Sequence, residues 1–386
     1  MTLQEIETYL TKITTDVNIK SNTSTVVIHS CQYDDTTIYC GQQFDTEFLK
    51  DKTVVLTHHG KFHMDELLAL CILLYGPLYD KKEVVIIRNR DSAYMEYADY
   101  VLDVGKIYDP DKNRFDHHQV NFDITYPDGT NYATAGLVFM KYGELVINTL
   151  LAEYTNTCLL ANMQLFDYIY TDIYTYLKHV DNLDNGQKTN ISLEKLGSGA
   201  HWVTSMNPIR MFNTSLESEY THNFIIALTS LRLWFKNFVI KSAAMWLGIQ
   251  YLDELDKIPE INNNPYLIIP YDLPWKELIW KRWNILSKFS FIIVANRDMT
   301  NWSIHHVPTS PNNLRYFKVK IPFELLGLYG EDLETITGIP DLIVCNNTGY
   351  VTYAKTKQAA IAFVNYVWNR HLEEKNRAQS QCRIIE

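Results

Sequence analysis

The chain has 386 residues, 46% of them apolar, with 35 basic and 45 acidic side chains and a formal net charge of −10. That length exceeds one ordinary domain and the apolar share is ample for a buried core. The acidic balance argues against a surface coated with basic charge for generic nucleic-acid binding but leaves room for a local basic cleft, and six cysteines without a Cys-x-x-Cys pair fit reduced, mostly buried thiols better than a disulfide framework or zinc finger.

Met1 to Lys50 reads as an N-terminal extension. A short amphipathic helix is predicted over Leu3–Ile13, then a hairpin of Thr25–Ile28 and Thr36–Tyr39 about a Tyr33-Asp34-Asp35 turn. Glu5, Glu7 and Asp16 are unlike a signal peptide or presequence, and no apolar run reaches the roughly 18 residues of a membrane helix. The expectation is a soluble intracellular protein with no membrane partner.

From 51 to 190 strands alternate with helices. The predicted strands are Thr53–Thr57, Glu83–Arg88, Tyr100–Val104 and Arg114–Asp116. Helices are predicted over Asp65–Tyr75, from Tyr132–Val138 onward, and over Leu159–Val180. This alternation predicts an α/β fold with a mostly parallel sheet. Residues 191–262 predict a helical connector; its longest piece, Tyr220–Leu252, places Phe224, Leu228, Leu231, Phe235 and Phe238 at helical spacing. Residues 263–371 predict a smaller C-terminal α/β domain. Its strands are Tyr266–Pro270, Phe289–Ala295, Trp302–Val307, Arg315–Lys320 and Asp341–Val344, with a helix over Gln358–His371. Residues 372–386 form a polar tail.

In open parallel sheets ligands gather beyond the carboxyl ends of the strands. His58, Arg90, Asp103 and His117 lie at or just past four such ends, and His63 and Asp65 follow in the loop after His58. Imidazoles and carboxylates are the donor set of borderline divalent ions such as Mn²⁺ or Zn²⁺. Taken singly, each has a bland reading: a loop histidine, a solvated Arg90, Asp181 or Asp184 as a helix-end cap. Glu66 is accounted for by the dipole of the helix it opens. Alternation along a strand puts His305 and His306 on opposite faces, so they are not a metal pair.

Several segments stand in a fixed order. They are Thr57-His58-His59-Gly60-Lys61-Phe62-His63-Met64-Asp65-Glu66, Arg88-Asn89-Arg90-Asp91, Asp103-Val104-Gly105, Phe115-Asp116-His117-His118-Gln119, Ala133–Val138 and Val180–Gly186. Pro274–Glu277, Trp302–Pro308 and Thr337–Pro340 follow. Over roughly Thr53 to Tyr366 the set resembles the melanocyte proliferating gene 1 family, a branch of the DHH phosphoesterases with a described 3′-to-5′ RNA exonuclease activity. The resemblance implies a DHH phosphoesterase-like metal-binding domain over 51–190 and a substrate-binding domain over 263–371. It implies two divalent ions, Mn²⁺ first, with Mg²⁺ or Co²⁺ as alternatives. His58, His63 and Asp103 would hold one ion. Asp65, Asp103, His117 and Asp184 would hold the other, with Asp103 as bridge and Asp181 as the alternative to Asp184. Such a pair activates water for in-line attack on phosphorus. Asp116 would fix the His117 tautomer, His118 would contact the phosphate or protonate the leaving oxygen, and Arg90 and Lys355 would hold substrate. The implied partner is single-stranded RNA or a short oligonucleotide, and a homo-oligomer stays open.

The sequence departs from the family at His59, where the family has Asn. It departs again in Gly349–Thr356, where Thr352 and Tyr353 replace paired glycines, and at Leu325-Leu326-Gly327-Leu328, which replaces a Trp-Arg step. Glycines let backbone amides approach phosphate, and side chains obstruct that approach. Two other functions therefore stand beside the exonuclease. One is a metal-binding interaction or regulatory module without nuclease activity; the other is a pyrophosphatase or small-phosphoester hydrolase.

Overall fold

A computed structural model of the chain describes residues 15–20, 25–33, 35–152, 162–186, 212–213, 216–258, 263–269, 273–296 and 299–385. The helix expected over Leu3–Ile13 and much of the connector expected over 191–262 lie outside the described residues. The chain divides into two units, Met1–Ala243 and Ala244–Glu386.

Unit one is built on β1 (Thr15–Lys20), β2 (Thr25–Tyr33), β3 (Thr36–Gly41), β4 (Thr53–Thr57), β5 (Glu83–Arg88), β6 (Tyr100–Leu102), β7 (Tyr108–Asp109) and β8 (Arg114–Phe115). Their order in the sheet is β1-β2-β3-β5-β4-β6-β8-β7. The run from β3 to β8 is parallel at every pairing. Val54-Val55-Leu56 and Val84-Val85-Ile86-Ile87 are buried without alternation, as befits strands covered on both faces. The N-terminal hairpin is present and continues this sheet, with β2 antiparallel to β3 and β3 parallel to β5.

The longer helices that accompany the sheet are α1 (Met64–Tyr75), α2 (Thr134–Ala152), α3 (Met163–Asp184) and α4 (Tyr220–Leu255). Every residue of α1 is buried. α2 packs on α1 and α3 packs on α2. Tyr75 donates its hydroxyl to the Arg232 carbonyl at 3.1 Å, so α4 closes against the end of α1. α2 is long and apolar enough on average to cross a membrane by length and composition only, although Lys141 and Glu144 interrupt its apolar run. Its apolar window is 56% buried among α1 and α3, the setting of a core helix.

Unit two holds a five-stranded sheet of β9 (Tyr266–Ile269), β10 (Phe291–Ala295), β11 (Trp302–His306), β14 (Leu342–Cys345) and β15 (Val351–Ala354), in the order β14-β15-β11-β10-β9. A separate ribbon pairs β12 (Pro308–Ser310) with β13 (Asn313–Phe317). Its helices include α5 (Trp275–Lys281), α6 (Gly330–Thr337) and α7 (Lys357–Ile385), so the polar tail continues α7. Phe291, Ile293, Ile304, Leu342 and Ala354 meet Ala360, Phe363, Val364 and Val367 of α7 in the core. β15 was not among the predicted strands. Thr352 and Tyr353 lie inside it, paired to β11 on one side and β14 on the other. Two β-formers have made a strand of the segment where glycines would make a turn.

Candidate metal centre at the carboxyl edge of the first sheet

Because β4, β5, β6 and β8 run parallel, their carboxyl ends share one edge. That edge receives His58 after Thr57, Asp103 after Leu102, and Asp116-His117-His118 after Phe115. His58 Nδ1 lies 3.0 Å from the His59 carbonyl. A carbonyl only accepts, so Nδ1 carries the hydrogen and Nε2 the lone pair. That Nε2 faces Glu66 Oε1 at 2.9 Å and Asp103 Oδ2 at 3.3 Å. His117 repeats the arrangement. Its Nδ1 lies 3.3 Å from Asn185 Oδ1, and the Asn185 amide is oriented by donating to the carbonyls of Asn131, Tyr132 and Asp181. His117 Nε2 therefore also carries a lone pair, and it faces Asp184 Oδ2 at 3.3 Å and Asp103 Oδ1 at 3.5 Å.

His58 Nε2, His117 Nε2 and Asp103 Oδ1 are buried without a hydrogen bond. Acceptors crowded on acceptors need a proton or a shared cation between them. Among the described residues, three sets of donor atoms each lie within 4.8 Å of one another: His58, His63, Glu66 and Asp103; Asp103, His117 and His118; Asp65, His117 and Asp184. Asp103 belongs to two sets. Its φ of 55° is left-handed, a conformation aspartate tolerates better than most side chains. The donors are the imidazoles and carboxylates that suit a divalent ion.

The electrostatics point the same way. Burial alone disfavours a charged ring, yet Glu66 and Asp103 overcome it and push the His58 pKa up to about 10. Asp103 and Asp184 push His117 up to about 11 against the same burial. Asp65 is raised well above the usual carboxylate range by burial and by Asp184 and Asp103. Asp103, although buried, is held low by its contacts with His117 and His58.

Asp65 and Asp181 share a second task. Thr134 and Ala135 donate their N–H groups to Asp65 Oδ2 and Oδ1 at 3.0 and 2.7 Å. Gly136 N–H donates to Asp181 Oδ1 at 3.3 Å and Tyr126 Oη to Asp181 Oδ2 at 2.8 Å. The free amides at the start of α2 thus rest on two buried carboxylates. A Cβ at Gly136 would meet Tyr126 Oη at 2.6 Å and Asp181 Oδ2 closer still. The two aspartates offered as alternatives are separated by this geometry. Asp181, whose pKa burial raises to about 7, is committed to Gly136 and Tyr126. Asp184 faces His117 and, at 3.8 Å, His63 Nδ1.

One implied pairing is corrected. Asp116 does not orient His117, which turns to Asn185. Asp116 Oδ1 accepts from the N–H of His118 at 3.0 Å and contacts His118 Nδ1 at 2.7 Å, while its Oδ2 accepts from Lys106 N–H at 2.6 Å. A carboxylate two residues from a ring closes a short local turn on it, and the adjacent ring points elsewhere. His118 is half exposed, and Asp116 raises its pKa.

Glu66 escaped the sequence reading. It lies in the first turn of α1, as the dipole favours, but it is also fully buried and its carboxylate accepts the His63 N–H at 2.8 and 2.9 Å. The three-residue spacing of His63 and Glu66 is that of a capping box, a signal present in the sequence. Arg90, two residues beyond β5, is exposed. Lys355, just beyond β15, is exposed in unit two.

The MYG1_exonuc family, described as Uncharacterised protein family (UPF0160), matches residues 54–367. The chain is 26% identical over 325 residues to a MYG1 protein of Caenorhabditis elegans, covering 80% of this chain and 93% of that one. It is 28% identical over 324 residues to a MYG1 protein of Saccharomyces cerevisiae, covering 79% and 92%. The MYG1 exonuclease of Homo sapiens is 27% identical over 326 residues, covering 79% and 83%. RecJ in complex with Mn²⁺ from Thermus thermophilus aligns over 85% of this chain and 53% of that one, at 14% identity and a TM-score of 0.24, too low to bear on the fold or the site. With a match that runs from β4 into α7 and takes in every residue of the three donor sets, the chain belongs to the MYG1_exonuc family.

Proposed function

We propose that this protein is a phosphodiesterase that shortens single-stranded RNA or short oligonucleotides from the 3′ end with two divalent ions, Mn²⁺ foremost. The observation that carries the reading is the convergence of buried, unsatisfied acceptors at His58 Nε2, His117 Nε2 and Asp103 Oδ1. His58, His63, Glu66 and Asp103 would hold one ion, and Asp65, His117 and Asp184 the other, with Asp103, 3.5 Å from His117 Nε2 through Oδ1, as the bridge. When bound, such a pair lowers the pKa of water and neutralises charge gathering at phosphorus. Imidazole beside carboxylate favours Mn²⁺ over Mg²⁺, which prefers oxygen. Asp116 holds His118 by Nδ1 and leaves Nε2 free to give a proton to the leaving oxygen. Arg90 and Lys355, both exposed, are the cations offered for substrate phosphate.

The test uses metal-stripped protein, restored with Mn²⁺, on a 5′-labelled single-stranded RNA. A ladder of shortened labelled products is expected, and none from the Asp116→Ala/His117→Ala double variant. No shortening with Mn²⁺, Mg²⁺ or Co²⁺ would reject the reading. Phosphate release from pyrophosphate well above the rate on RNA would move the substrate to small phosphoesters.

A further inference from the structure

We infer that Arg88, buried beneath the loop that presents His58 and His63, is a positioning residue that sets divalent-ion affinity at the His58, Glu66 and Asp103 end of the cluster. The inference rests on the metal reading above. Arg88 ends β5 and is 0% exposed. Its Nη2 donates to the Gly60 carbonyl at 2.6 Å, while Nε and Nη1 have no partner. The guanidinium lies 4.4 Å from the Phe224 ring and 5.4 Å from the Phe62 ring, and those rings meet edge to face at 5.4 Å.

A buried arginine with two idle donors is costly, and aromatic faces offset only part of that cost. A long apolar side chain would fill the space without it. What the guanidinium adds is a fixed hold on Gly60 in the middle of the loop and a positive charge beside Glu66, the one carboxylate found to act on it. Gly60 has a φ of 87° and nothing within 4 Å of its Cβ position, so no packing of its own keeps it there. Two residues on, Phe62 donates its N–H to Asn213 Oδ1 at 3.1 Å, and Asn213 Nδ2 donates to the Phe62 carbonyl at 2.6 Å. Positions 60 and 62 are thereby pinned between the two histidines. Asp65 and His117 are held differently, by the amides of α2 and by Asn185. Arg88 therefore supports one donor set and not the other.

Calorimetric titration of Mn²⁺ into the full-length, metal-stripped chain tests this, with wild type beside Arg88→Met, Arg88→Lys and Phe224→Leu. Methionine keeps the length without charge; lysine keeps the charge without the flat faces. Wild type is expected to bind in two steps. Arg88→Met should weaken one step by about 10–100-fold, the usual range for groups that support metal ligands, and leave the other within about two-fold. Arg88→Lys and Phe224→Leu should fall between. With Co²⁺ in place of Mn²⁺, the visible absorption belonging to the weakened step should change, which a loss of fold stability alone does not produce. Circular dichroism and melting of the metal-free proteins accompany the titration. Phe224→Leu leaves Arg88 in place, so the result stands even if both Arg88 variants fail to fold. Equal weakening of both steps, or of neither, overturns the inference. No Mn²⁺ binding by wild type overturns the metal reading and this inference with it.

Discussion

The carboxyl edge of the first sheet and strand β11 of the second both bury histidines, and burial works in opposite directions at the two places. His58 and His306 are 2% and 3% exposed. Glu66 and Asp103 share the burial of His58 and overcome it, so that its pKa rises to about 10. Among the described residues His306 has the Val319 carbonyl, 3.0 Å from its Nδ1, as its hydrogen-bond partner and the rings of Phe291 and Phe317 beside it, and burial drives its pKa down to about 4. His305, on the other face of β11 against Trp275, is driven down to about 3. A buried histidine is thus no mark of a site by itself. Carboxylates buried with it are, because they turn an isolated polar group into a field that a cation completes.

The largest break in this comparison is Asp103→Asn. Asparagine keeps the shape and tolerates the left-handed backbone, but it removes the charge facing both rings. Mn²⁺ binding should fail and RNA shortening should drop by at least about 10²–10³-fold, taking one lost electrostatic stabiliser as the scale. Retention of both would show that the edge is merely a polar cluster.

The next is the acid stability of unit two. The unfolded chain protonates His306 near 6.5, whereas the folded chain does so only near about 4. Between those values the unfolded state binds the extra proton, so stability is complete above about pH 6.5 and falls as pH drops towards 4, by about 3 kcal/mol. Urea melts across this window should show at least that slope, to which His305 adds, and His306→Gln should remove the His306 part and leave that of His305. An unchanged slope would mean that other groups carry the acid sensitivity.

Gly136→Ala probes how α2 is seated beside the cluster of imidazoles and carboxylates. Its Cβ meets Tyr126 Oη and Asp181 Oδ2, so a loss of about 1–3 kcal/mol is expected in denaturant unfolding. Wild-type stability would mean that the start of α2 can shift freely. The smallest effect belongs to the exposed cations. Arg90→Ala and Lys355→Ala should each raise KM about 2–5-fold, with kcat unchanged and the difference shrinking at high salt. A fall in kcat instead would place them at the reacting phosphate.

Much of the scaffold was legible beforehand. β4 and β5 occupy the residues expected of them, Thr53–Thr57 and Glu83–Arg88, because a buried parallel strand is a continuous apolar run and its neighbours in sequence declare it. His58, Asp103 and His117 could be placed on one edge for the same reason. β15 is less legible, since Val351-Thr352-Tyr353-Ala354 stands where the family has paired glycines, and that departure masks its own strand propensity. Glu66 was hidden by a second sufficient explanation, the helix dipole. Arg88 and Arg90 look alike in the sequence, two arginines two residues apart at a strand end, and only the covering of the sheet buries Arg88 and leaves Arg90 exposed.

The sequence alone determined the donor types and their common edge. Both follow from local properties: a strand's apolar run, its direction, and the loop that ends it. The tertiary structure decided which lone pairs face one another, which of Asp181 and Asp184 is free to meet His117, that Asp116 serves His118, and that Arg88 lies under Gly60. Most of those choices join residues 28 to 70 positions apart. Such pairings arise from how the helices cover the sheet, and no local pattern encodes the angle at which two side chains meet across a packed interface.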